Sequence, residues 1–297
     1  MVPGPRPRRR GNGPAIVATV VVWALVMVGV VVGIDLLTGS GQAELEVVDD
    51  PAARVRVADP TDLPDPVSTG RTAPRPGFEE AGARLAPLPD VLEEDDSYAF
   101  LDTQLLDGDQ VPVTWSPCRP VHVVLNPAGA PDGFEDLLLD ALGELSAATG
   151  LVFVYDGETT EVPDLDRLAY LPETYGDRWA PVLVAWADDD DITDFADDVV
   201  GLAVSHTAID PRTGVRFRTS GLVYLDTDLR TYPRDPTGQA AYVSVLHHEM
   251  AHLVGLDHVD DPTQLMHPED SGRLRSFQDG DLTGLAELGG QVCAAGV

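Results

Sequence analysis

Apolar positions along the chain fall into three regimes. Residues 15–34, AIVATVVVWALVMVGVVVGI, form an unbroken run of twenty uncharged, almost wholly apolar residues. At about 1.5 Å rise per residue a helix of that length reaches about 30 Å, the hydrocarbon thickness of a bilayer. Residues 35–96 carry only scattered apolar positions among Pro, Gly, Ala, Asp and Glu, without a sustained period. Such a segment cannot bury enough apolar surface to offset its ordering entropy, and it is expected as a disordered stalk. From residue 97 the pattern becomes that of a folded domain. VHVVLN (121–126) is a β-branched run that predicts a strand, and Phe134, Leu137, Leu138, Ala141, Leu142 and Leu145 share one helix face within 131–149, closed by Gly150. Further strands are expected at 151–157, 181–187, 201–209 and 221–226. PVLVAWA (181–187) is continuously apolar, as a buried strand requires. Helices are expected from about Thr237 to Val254 and from Gln278 to Leu288. The order β-α-β-β-β-β-α-loop-α predicts one α+β domain over 97–297.

Charge sets the topology and excludes partners. Arg6, Arg8, Arg9 and Arg10 precede the apolar run, and Asp35 and many acids follow it. By the positive-inside rule, residues 1–14 form a cytoplasmic basic tail, 15–34 a signal-anchor, and everything beyond is exported. A cleaved signal peptide is the rival. Its apolar core is normally about 7–15 residues and ends at an A-x-A-like site, which TGSGQA meets only in part. In that case the protein is secreted. The formal net charge of −31 repels nucleic acid and anionic headgroups, so no nucleic-acid partner is expected.

The segment HEMAHLVGLDH (248–258) carries the chemistry. On a helix His248 and His252 project from one face and can reach one ion at about 2.0–2.1 Å. Glu249 is not needed as a ligand and stands where a carboxylate can act as general base on an attacking water. Gly255 permits the sharp turn that returns His258 to the same ion. Three imidazoles leave a fourth position open, which marks a catalytic zinc rather than a closed structural one. HExxH alone would arise by chance in roughly one such sequence per hundred, and Gly255 and His258 at their offsets lower that several-hundredfold.

HExxHxxGxxH is the zinc signature of the metzincin peptidases. QLMHP (264–268) resembles their Met-containing turn, with Met266 as its methionine, and GLVYLDTD resembles the strand before the zinc helix in the matrixin branch. With its W-x-x-C-R-P segment and late cysteine, the chain is most similar to bacterial matrixin-like proteases over about 110–293. The resemblance implies a zincin-like domain with a twisted, mixed five-stranded sheet, two long helices, a short C-terminal subdomain, and one catalytic zinc held by His248, His252 and His258. It also implies endopeptidase activity on proteins or peptides by a monomeric domain. Val259 stands where matrixins commonly have Ser, and His267 where Tyr is frequent. The companion His/Asp pattern for a second zinc is missing around His122 and His206. Asp226 and Asp228 are candidates for calcium, with solvated acids the simpler reading.

Other residues divide between roles. His247 is expected to flank the zinc face, since Ala251 stands four residues on. Two cysteines in an exported chain point to a Cys118–Cys293 disulfide, closing a loop of about 175 residues worth roughly 5 kcal/mol at most. The alternative is Cys118 as a thiolate on the zinc, although the latency motif PRCGxPD is absent. Two functions stand open: an active membrane-anchored endopeptidase, or a zinc-retaining surface binding module without turnover. The intact Glu and ligand set favour the first.

Overall fold

The computed structural model describes residues 55–58, 66–197, 199–232, 234, 240–269 and 274–297. The expected cytoplasmic tail, the signal-anchor over 15–34 and most of the first half of the stalk lie outside the described residues. Among the described residues no helix is long and apolar enough to cross a membrane.

The frame is one sheet. Strands β1 (Val55–Val57), β2 (Ala99–Phe100), β3 (Thr103–Leu106), β4 (Asp109–Pro112), β5 (Thr114–Trp115) and β6 (Val121–Leu125) precede helix α1 (Phe134–Thr149). Then come β7 (Phe153–Glu158), α2 (Pro172–Tyr175), β8 (Val182–Ala187), β9 (Gly201–Ile209), β10 (Arg216–Asp226), α3 (Tyr242–Val254), β11 (Leu256–Asp257) and α4 (Asp279–Gly289). The sheet runs β1-β7-β6-β8-β10 in parallel, and β9 closes it antiparallel to β10. β5 adds a short parallel pair to β10 at Phe217 and Arg218. All five expected strands are present, and the sheet has seven because β1 and β5 are too short to announce themselves by pattern. The pairs β3–β4 and β2–β11 form two small sheets of their own.

Period-2 alternation places the two faces of the central strand. Val182, Val184 and Trp186 of β8 join the core beneath α1 and α3, whereas Leu183, Ala185 and Ala187 pack on the opposite face with Leu222 and Tyr224. α1 buries Leu138, Ala141, Leu142 and Leu145 and stops at Gly150, whose φ of 69° is the left-handed conformation a helix end favours. α3 lies across the same face, with Leu246, Met250, Ala251, Leu253 and Val254 buried.

Part of the expected stalk belongs to the domain. Residues 66–96 run over its surface as a strap with little regular secondary structure. Leu85 and Ala86 are buried against Val152. Ala81 N–H donates to Cys118 O at 2.8 Å and Leu85 N–H to Pro117 O at 2.9 Å. Glu80 accepts from Ser116 Oγ and Ala294 N, both at 2.8 Å, and Arg84 donates to Gly289 O at 2.6 Å. Composition does not reveal this order, for a physical reason. A strap laid on a surface that is already built needs no core of its own, only satisfied backbone and charged groups. The folded unit therefore extends upstream of 97 through the strap at 66–96 and includes β1 at Val55–Val57, which pairs with β7.

A buried charge cluster holds the strap at its middle. His122 of β6 lies 3.1 Å from Glu79 and 2.9 Å from Asp156, which also pairs with Arg178. Burial alone would lower the His122 pKa, but the hydrogen bonds and charges of Asp156 and Glu79 overcome it and hold it at about 9. A His raised above its unfolded value of about 6.5 contributes fully below 6.5 and loses that contribution as pH climbs through 9. Replacing His122 with Gln is expected to cost on the order of 1–3 kcal/mol near pH 6. The difference in thermal midpoint from the parent protein should shrink steadily toward pH 9.5. A difference that does not change with pH would mean that His122 is held neutral.

Candidate metal centre and catalytic cleft

Helix α3 presents His248 and His252 one turn apart on its open side. The Nδ1–H of His248 donates to Leu265 O at 2.9 Å, and that of His252 to Leu256 O at 2.8 Å. Committing each Nδ1–H to a backbone carbonyl makes Nε2 the unprotonated nitrogen, so the carbonyls fix the tautomer a metal ligand requires. Gly255 ends α3 with φ 129°. A Cβ there would meet Leu288 Cδ2 at 2.9 Å, so both conformation and space demand glycine. The turn leads into β11, pinned to β2, and delivers His258 to the two helix histidines. Its Nε2 lies 3.0 Å from that of His248 and 3.1 Å from that of His252.

This donor set fits zinc. A tetrahedral ion with Zn–N bonds of about 2.0–2.1 Å separates its ligands by about 3.3 Å, close to the spacing of these nitrogens. Burial and the neighbouring His248 push the His252 pKa down to about 4, and burial lowers that of His258, so both imidazoles are neutral and ready to ligate. Among the described residues, one other set of candidate ligands comes as close together, Glu80, Cys118 and Cys293, but its sulfurs are joined.

The triad lies in an open cleft of about 370 Å³. Val199 to Ala203 form one wall, Ser244 and Val245 of α3 the back, and Leu265, His267 and Pro268 the other side. Glu249 lines the same cleft. It is 6% exposed, and in the metal-free protein burial raises its carboxyl to about 8. That environment favours holding a proton, as a base that must pick one up and pass it on requires.

Met266 sits below the triad, 1% exposed and part of the main core. Its turn is anchored by a residue the sequence reading missed. Asp281 in the first turn of α4 is fully buried and accepts from Leu265 N at 2.8 Å, Met266 N at 3.2 Å and Gln278 N at 2.9 Å. In return, Gln264 Oε1 accepts from Gly280 N at 3.0 Å and Asp281 N at 3.3 Å. Turn and helix thus cap each other, and the Leu265 peptide links Asp281 on one side to His248 on the other. The sequence signal was a helix start with acids in its first turn, but Gln is not an ordinary N-cap residue.

The remaining candidates fall away from the metal centre. His247 is buried behind α3, donating to Val243 O at 2.8 Å and lying 3.1 Å from Glu144. His122 belongs to the strap cluster and His206 to β9; neither is brought to the triad. His267 reaches the cleft rim. Asp226 caps the turn after β10, accepting from Asp228 N at 2.9 Å, and nothing beyond the acids themselves points to calcium there. Cys118 and Cys293 form the expected disulfide, their Cα atoms 5.3 Å apart, which removes Cys118 as a thiolate ligand.

Comparison with known proteins agrees with this geometry. No curated protein matches the chain. Residues 175–289, which span α2 to the end of α4 and include all three histidines, match the matrixin family model. Residues 175–289 therefore form a matrixin-family domain of the metzincin zinc-peptidase type, with the three-histidine set in place.

Proposed function

We propose that this domain is an active endopeptidase, membrane-anchored by residues 15–34, which cleaves proteins or peptides outside the cytoplasm with one catalytic zinc. The observation that carries the reading is the convergence of three Nε2 atoms, those of His248 and His252 tautomer-fixed by backbone carbonyls, beside a buried carboxylate in an open cleft. His248, His252 and His258 would hold the zinc ion, which would supply the Lewis acidity that activates a water and polarises a substrate carbonyl. Glu249 takes the proton from the attacking water and delivers it to the departing amine. The apolar side chains of Val199, Val200, Leu202, Val245 and Leu265 exclude water from the bound peptide and favour an apolar substrate side chain. Arg6 to Arg10 ahead of the apolar run support the orientation, and the disulfide suits an oxidising compartment.

Cells producing the full chain are expected to hydrolyse a quenched peptide library added outside, and a membrane-impermeant chelator should abolish that hydrolysis. Activity that emerges only after lysis would overturn the orientation. Its absence from both intact cells and zinc-supplemented lysate would favour the binding-module reading.

A further inference from the structure

The first residue of the edge strand stands directly against the general base. Gly201 opens β9, where its backbone pairs with Leu225 of β10 and Val200 O accepts from Asp226 N at 3.0 Å. The strand end is therefore fixed to the sheet, not free to drift outward. A Cβ built on Gly201 would lie 2.6 Å from Glu249 Oε1, 2.8 Å from Glu249 Cγ and 2.7 Å from Val245 Cγ1. Val245 and Glu249 are one turn apart on α3, so the missing side chain of Gly201 faces the side of the helix that carries the base. Real Cβ atoms do not tolerate contacts this short, so any side chain at 201 must displace the carboxylate, the helix or the strand. The backbone does not demand glycine, because Gly201 is not among the residues of positive φ. What demands it is the space that Glu249 occupies.

We infer that Gly201 is a positioning residue for catalysis: its bare backbone forms the wall that holds the Glu249 carboxylate in place over the cleft. The inference rests on Glu249 being the base of a zinc peptidase. Along one face of β9, Gly201 is followed by Ala203 and Ser205, so the first half of the strand presents small side chains on that face. Gly201 is the member whose Cβ would meet the catalytic group itself.

The test is Gly201→Ala in the full chain. It is expected to lower kcat about 10²-fold, the cost of misplacing a catalytic group by about 1 Å, with KM changed less than about threefold and zinc content unchanged. A second measurement does not depend on activity. The thermal midpoint lost on Gly201→Ala should be at least half recovered in a Glu249→Ala background, where most of the side chain it strikes is gone. Wild-type kcat in Gly201→Ala would overturn the inference, as would an equal loss of midpoint, or failure to fold, in both backgrounds. These outcomes are separate from the parent reading. Full turnover in Glu249→Gln would overturn the assignment of the base, whereas an inactive Glu249→Gln beside a fully active Gly201→Ala would overturn the positioning role alone.

Discussion

Replacing Glu249 with Gln is expected to lower kcat about 10²–10⁴-fold while the protein keeps its zinc, since general-base catalysis is worth that much and the carboxylate is not a ligand. The loss corresponds to about 3–5 kcal/mol of transition-state stabilisation. Gln preserves the shape that Gly201 and Val245 enclose, so the change removes a proton acceptor without opening a cavity. A stability control accompanies it. In zinc-stripped protein burial raises Glu249 to about 8, above an unfolded value of about 4.3. The folded state therefore holds more protons between those values, and stability falls as pH rises across that window. Zinc-stripped Glu249→Gln should escape this loss, being more stable than zinc-stripped parent protein at pH 8 and equal to it near pH 4. Steady-state kinetics, metal analysis and thermal unfolding cover all three expectations. Appreciable turnover in the variant would remove Glu249 from the mechanism.

His252→Ala should abolish activity by a different route. It removes one of three nitrogens from the donor set, and the two that remain cannot enclose the ion. Loss of a mere supporting hydrogen bond to a ligand already costs about 10–100-fold in metal affinity, so loss of the ligand itself should exceed 100-fold. The side chain is only half-buried and points into the cleft, so the apo fold should survive. Zinc content after dialysis and circular dichroism separate the two effects. Retention of stoichiometric zinc by a folded His252→Ala protein would show that the triad is not the metal centre.

The histidine triad was legible in the sequence because its spacing is written in near-consecutive residues. The helix spacing of His248 and His252 and the glycine turn at 255 are local, and a local pattern survives without knowledge of the fold. The five main strands were legible for a related reason: short β-branched or apolar runs such as VHVVLN and PVLVAWA, bounded by turn residues, suit buried strands. The strap was not legible, since what orders Leu85 and Glu80 is a surface assembled from residues 116–152 and 289–294, far away in sequence. Asp281 was hidden likewise, its partners lying across a turn in Leu265 and Met266. Gly201 gave no sign either. A glycine at a strand start has many explanations, and only the approach of α3 selects one.

The disulfide has a further consequence for a protein that cuts proteins. Its own chain is one substrate it can meet, in neighbouring copies. Cys118 and Cys293 close a covalent ring 175 residues apart, and every zinc ligand, Glu249 and Met266 lie inside it. One cut anywhere within the ring leaves two pieces that are still joined, and where the cut falls in a loop away from 242–268 the triad's own segment stays whole. A cut in the strap falls outside the ring and removes no catalytic residue. Self-inflicted nicks thus become survivable wear, visible on a gel only after reduction.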